Sequence, residues 1–225
     1  TSGGRTFGTE GAFKLVFANK YLLGIAFLVL LLNWVNTTGE YILSRTVQDA
    51  AKTIAADSEA QRAFVGQFYA DFFFVVNLAE MIIQLFLVSR ILKYFGIRVA
   101  ILILPVIALG GYFIYALYPV LSIVRSAKIA ENSTDYSLNN TVRHALYLPT
   151  RRDEKFKAKQ AIDSFFHRSG DVFSALLVFV GFELFGFGPK DFAIVNLVLV
   201  AVWLFLAFKT GQANQRLVES QASES

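Results

Sequence analysis

Between Arg125 and Arg143 six polar residues recur at intervals of three or four: Arg125, Lys128, Asn132, Asp135, Asn139 and Arg143. At about 100° per residue this spacing gathers them on one stripe of a helix, with Glu131 beside it. A stripe of guanidinium, ammonium, carboxylate and amide groups offers charge-assisted hydrogen bonds to an ionic solute. Lys128 and Glu131 stand three apart and can pair, whereas Glu131 and Asp135, four apart, repel when both are ionised. A buried acid pair opens a proton-coupled role, and a satisfied hydrogen-bond network between helices is the alternative.

Three other segments carry narrower polar stripes. Asn33, Asn36, Thr37, Glu40 and Ser44 share one helical face; Asn77, Glu80 and Gln84 share a second; Lys159, Gln160, Asp163, His167, Asp171 and Ser174 share a third. His167 with Asp163 or Asp171 has the spacing of a proton relay, again with a structural network as the alternative. These seventeen candidates (Asn33, Asn36, Thr37, Glu40, Asn77, Glu80, Arg125, Lys128, Glu131, Asn132, Asp135, Asn139, Arg143, Lys159, Asp163, His167 and Asp171) are read as lining a cavity.

The surroundings explain why such stripes need a cavity. The 225 residues are 55% hydrophobic and 15% aromatic, with mean hydropathy +0.51, and the apolar residues come in blocks of about twenty, the length that crosses a bilayer. Hydropathy marks spans at Tyr21 to Leu43, Phe68 to Val88, Val99 to Leu117, Ala161 to Phe182 and Phe192 to Phe208. Whether Val120 to Leu148 also crosses is decided by basic residues, which favour the cytoplasmic side. If it crosses, with the N-terminus inside, fourteen basic residues lie inside: Arg5, Lys14, Lys20, Arg90, Lys93, Arg98, Arg143, Arg151, Arg152, Lys155, Lys157, Lys159, Lys209 and Arg216. Only Arg45, Lys52, Arg62 and Lys190 lie outside. The expectation is therefore six spans with both termini cytoplasmic. A charged span faces protein or water, not lipid; a solvated surface helix is the competing reading of the stripe.

The polar, polar, apolar order of the spans occurs twice, which suggests two three-helix units of the kind found in secondary transporters. "NTTGEYIL" at Asn36 to Leu43 faintly echoes "NSTDYSL" at Asn132 to Leu138. Pro149 closes the fourth span, and Thr150 with Asp153 has the form of a capping arrangement for the next helix. The cluster "RRDEKFKAK" suits an anionic nucleotide, or equally positive-inside topology and anionic lipid head groups. The net charge of +4 is read as topology, not as nucleic-acid binding.

No phosphate loop of the form GxxxxGK[ST] is present, no cysteine supplies a thiolate, and two histidines are too few for a metal site. Neither an enzyme nor a cofactor is expected. The only methionine is Met81 and the chain opens on "TSGGRTFGTEG", so it reads as a piece of something longer.

"ENSTDYSLNNTVRHALYLPTRRDEKFKAKQAIDSFFHRSGDV", "GQFYADFFFVVNLAE" and "VSRILKYFG" resemble the nucleotide translocase family of ATP/ADP antiporters, over about Tyr21 to Thr210. "SRILKYFGIRVA" also resembles the loop motif of the major facilitator superfamily. The resemblance implies an all-α, polytopic fold, the C-terminal six-helix half of a facilitator-like carrier in a bacterial cytoplasmic membrane. Its implied partners are membrane lipid, an N-terminal six-helix half and a small anionic solute such as ATP or ADP. A carrier of another solute, or a membrane anchor without transport, stays open. The expected organisation is a linker and membrane entry at 1–20, a transmembrane domain at 21–210 and a disordered tail at 211–225.

Overall fold

The computed structural model describes residues 9–55 and 57–224, so residues 1–8 of the expected linker lie outside the described residues. Every element among the described residues is helical: α1 (Thr9–Ala18), α2 (Lys20–Ile54), α3 (Ser58–Ile82), α4 (Val88–Leu117), α5 (Leu121–Thr134), α6 (Asn140–Leu146), α7 (Arg152–Ala161), α8 (His167–Phe185) and α9 (Pro189–Glu224). Wide π turns at Ile83–Leu87, Asp135–Asn139 and Ile162–Phe166 join α3 to α4, α5 to α6 and α7 to α8 without a break.

Three stretches are long and apolar enough to cross a membrane: Lys20–Ile54, Ser58–Leu117 and Pro189–Ser223. At 1.5 Å per residue, the 35 residues of α2 extend about 52 Å, well beyond a hydrocarbon core of about 30 Å. Asn19 starts α2 by accepting hydrogen bonds from the amides of Tyr21 (3.0 Å) and Leu22 (3.4 Å). Asp57 caps α3 in the same way, through Ala60 N at 2.7 Å. The 60-residue stretch is interrupted at Gly96, whose φ of 70° is a conformation that side-chain-bearing residues rarely adopt. Gly186, at φ 64°, ends α8 with the backbone bonds Gly186 N to Phe182 O and Phe187 N to Gly181 O.

Helix α2 is the centre of the molecule and packs against α9, α8, α5 and α3, while α4 packs against α9 and α5. Its buried side chains, from Leu22 and Ile25 through Val35 to Ile42, Leu43 and Val47, form the spine of the core. The outer faces are apolar too: Phe74, Leu85, Phe179, Leu184, Val198 and Phe205 are each more than half exposed. An apolar exterior over a tightly packed interior is the surface of an integral membrane protein.

Two expectations about helix ends are corrected. Thr150 does not cap α7: its hydroxyl donates back to Tyr147 O at 2.6 Å, and Arg151 begins the helix without a side-chain cap; the side chain of Asp153 lies outside the described residues. Thr150 stands one residue before the N-cap, and its amide also donates to Tyr147 O at 3.2 Å, so the residue belongs to the preceding turn. The segment after 210 is helical, not disordered, since α9 continues to Glu224. "QANQRLVESQASE" has no Gly or Pro to stop a helix, and Gln215 supports it by donating to Glu219 at 2.8 Å. Buried Asn214 also ties it down, donating to Tyr21 Oη at 2.7 Å, which in turn donates to Leu146 O at 2.6 Å.

Candidate functional site

The deepest charge in the molecule is Lys128, with its side chain 0% exposed. Its Nζ lies 2.7 Å from Asn36 Oδ1 and 3.3 Å from both Glu40 Oε1 and Glu131 Oε1. Asn132 Nδ2 donates to Glu40 at 2.9 Å, and Tyr112 Oη donates to Glu131 Oε2 at 3.1 Å. Behind Tyr112, Asn196 Nδ2 donates to Val35 O at 3.1 Å. Four helices thus meet at one point: α2 brings Asn36 and Glu40, α4 brings Tyr112, α5 brings Lys128, Glu131 and Asn132, and α9 brings Asn196.

Gly39 makes the meeting possible. A Cβ there would stand 2.0 Å from Tyr112 Oη and 3.2 Å from Lys128 Nζ, so any side chain would drive the phenol out of the cluster. Glu131 Oε1 is held by charge proximity to Lys128 but has no hydrogen-bond partner of good geometry. One ammonium facing two carboxylates leaves the group formally one charge negative when all three are ionised. Glu40, 37% exposed, carries that charge toward the surface.

A second cluster joins α2 to α8. Asn33 Nδ2 donates to Asp171 Oδ1 and to His167 O, each at 2.7 Å, and Thr37 Oγ1 donates to the same Asp171 oxygen at 2.8 Å. Buried Thr38 and Ser174 share a hydroxyl bond of 2.8 Å. The helices come this close because Gly170 lies against α2: a Cβ would meet Leu30 O at 2.7 Å and Trp34 N at 2.8 Å.

A third group lies where α6, α7 and the π turn of α8 converge. Asn139 Nδ2 donates to Asp135 Oδ1 at 2.7 Å, Arg143 pairs with Asp163 at 3.7 Å, and Lys159 Nζ lies 2.9 Å from His144 Nδ1. Asp135 is within electrostatic reach of Lys128, Arg143 and His167, so this group and the Lys128 centre share one field.

Measured against the sequence stripes, Lys128, Glu131, Asn132, Asn36 and Glu40 come together, and Asn33, Thr37 and Asp171 form their neighbour. Asp135, Asn139, Arg143, Asp163 and Lys159 make the third group. Arg125 is elsewhere: its guanidinium lies over the Phe68 ring at 5.6 Å, toward the opposite end of the bundle. Asn77 is exposed on α3, and Glu80 is half-buried there. The relay spacing of His167 is used differently, since Asp171 serves Asn33 and Thr37 while Asp163 serves Arg143.

Sequence reasoning passed over Gly39, Tyr112, Thr38, Asn196 and the pairing of His144 with Lys159. The available signals were single polar atoms in apolar spans, Tyr112 and Asn196, which a buried location obliges to find a partner. All three π turns fall on polar stripes, holding Gln84, Asp135 with Asn139, and Asp163. Such turns are frequent at functional sites, because the added residue re-aims the side chains that follow.

No family model matches the chain, and no solved structure matches it. Among curated proteins it is 26% identical over 186 residues to ADP,ATP carrier protein 1 of Chlamydia pneumoniae, covering 70% of this chain and 36% of that carrier. The chain therefore spans little more than a third of the length of the curated relative it matches. Its polar, helix-bridging core belongs to a membrane protein distantly similar to that ADP,ATP carrier protein.

Proposed function

We propose that this chain is one half of a secondary carrier for adenine nucleotides, working by alternating access against a second six-helix half. The observation that carries the reading is the Lys128 centre. An ammonium and two carboxylates inside a membrane bundle are costly to keep, and such groups mark solute or ion paths. Asn33, Asn36, Thr37, Glu40, Asp171 and their neighbours then form one polar wall, and the distant ADP/ATP carrier supplies the solute class.

In this reading the chain crosses six times, with the Gly96 break separating the second and third spans and both termini cytoplasmic. Two three-helix units, 20–117 and 121–224, carry the repeat. The echoed segments support it: Asn132 of the later one donates to Glu40 of the earlier one. Major-facilitator-like rocking of two such halves about the central site gives exchange driven by solute gradients, with no covalent step.

A second reading, a carrier of a cationic solute, is favoured by the acids toward the surface, since Glu40 and Asp163 are each 37% exposed and Asp171 is exposed. Liposomes carrying this chain joined to a six-helix N-terminal half, preloaded with ADP and given labelled ATP, separate the two. The nucleotide reading expects saturable counter-exchange that other nucleotides inhibit and organic cations do not. Exchange inhibited only by cations would replace it with the second reading, and no exchange of any solute would leave a membrane anchor.

A further inference from the structure

Where α6 ends and α7 begins, an open cavity of about 300 Å³ is lined by His144, Ala145, Tyr147, Leu148, Lys155 and Lys159. Three of these six side chains carry nitrogen donors. Lys159 Nζ donates to His144 Nδ1 at 2.9 Å, which leaves the ring proton on Nε2 and two ammonium protons on Lys159 for other acceptors. Among the described residues the charges acting on His144 are Lys159, Arg143 and Lys155 against Asp163, which is already paired with Arg143 at 3.7 Å. The described charges around the cavity are therefore predominantly positive.

The turn beneath this cavity is braced from three directions. Tyr21 Oη donates to Leu146 O at 2.6 Å, Thr150 Oγ1 to Tyr147 O at 2.6 Å, and Gln221 Nε2 to Pro149 O at 2.8 Å. Such bracing fixes the positions of His144 and Leu148 before any ligand arrives, and preorganisation of this kind lowers the cost of binding. Leu148, 67% exposed, adds an apolar edge beside the donors.

We propose that His144, Lys155 and Lys159 form a binding site for a phosphate group, at the mouth of the bundle and apart from the Lys128 centre. Lysines act there as point charges and the imidazole as a directed donor, a combination that suits the several acceptor oxygens of a phosphate. The phosphate can come from a soluble phosphate compound or from a lipid head group. The site does not depend on the carrier reading.

The chain contains two histidines, so imidazole resonances of ¹⁵N-histidine-labelled protein in phosphatidylcholine nanodiscs read the site directly, with His167→Asn giving the assignment. Pyrophosphate and ATP should shift the His144 resonance and leave His167 in place. Apparent affinity should fall about tenfold in Lys155→Gln and in Lys159→Gln, the loss expected for one charge-assisted bond. It should be retained in Lys159→Arg and unchanged in Lys52→Gln at the far end of α2. A His144 shift on replacing phosphatidylcholine by phosphatidylglycerol, with soluble phosphates silent, would assign the same site to a lipid phosphate. No His144 response to either source, or equal responses in wild type and both lysine variants, would overturn the proposal. The ring reports binding whether or not nucleotide exchange occurs, so failure of the carrier reading is recognised separately.

Discussion

Gly39→Ala tests how tightly the Lys128 centre is packed. The added Cβ would stand 2.0 Å from Tyr112 Oη, 3.2 Å from Tyr112 Cζ and 3.2 Å from Lys128 Nζ. Neither neighbour has room to withdraw, as Tyr112 is 3% exposed and Lys128 fully buried. Overpacking of this kind costs about 1–3 kcal/mol, and displacing the phenol removes its bond to the Glu131 carboxylate, worth about 1.5–3 kcal/mol. Alanine's better helix propensity returns up to about 1 kcal/mol, so the net loss should be about 2–4 kcal/mol. Tyr112→Phe loses the same bond but also deletes the clashing oxygen. In the double variant the nearest ring atom is Cζ at 3.2 Å, a contact that a few tenths of an ångström relieves. Gly39→Ala should therefore add little to Tyr112→Phe, giving a favourable coupling of about 1–3 kcal/mol. Reversible unfolding of the four proteins in mixed detergent micelles measures it. Additivity within about 0.5 kcal/mol would refute the contact between Gly39 and Tyr112 as the reason for glycine here.

Lys128→Ala should abolish solute exchange by the joined halves and destabilise the chain by about 3–5 kcal/mol by stranding Glu131, whereas Arg216→Ala at an exposed position on α9 should change neither; exchange assays beside unfolding curves make the comparison. Gly170→Ala should cost about 2 kcal/mol or more in the same unfolding assay, because the added methyl meets the α2 backbone at Leu30 O and Trp34 N and not a movable side chain. Single cysteines at 93 and 190, in a chain with no native cysteine, should react with an impermeant maleimide from opposite sides of the membrane; labelling from the same side would reject the six-span topology.

Much of the candidate site was legible because helical spacing survives within a single element. Lys128, Glu131 and Asn132 lie on one turn of α5, and Asn36 and Glu40 on one turn of α2, so each set was found on its own face. What spacing does not contain is which faces meet. Glu40 and Lys128 are joined by packing of α2 against α5, and Tyr112 and Asn196 come from spans whose apolar character hid single buried polar atoms. Periodicity also fails across the π turns. The turn at Asp135–Asn139 changes the register within the stripe from Arg125 to Arg143, so Arg143 turns to Asp163 while Arg125 lies over Phe68. The helical tail shows a different limit: a polar sequence reads as disorder until a tertiary contact, here Asn214 to Tyr21, holds it.

In the proposed carrier this chain supplies one of two walls. The most direct test reconstitutes the 225-residue chain alone, and joined to a six-helix N-terminal half, and compares ATP/ADP counter-exchange per mole of protein. Exchange is expected from the joined halves, none from the monomeric chain, and the exchange should be lost in Lys128→Ala. Full exchange by the monomeric chain, or exchange by the joined halves that is indifferent to Lys128, would reject the two-walled carrier.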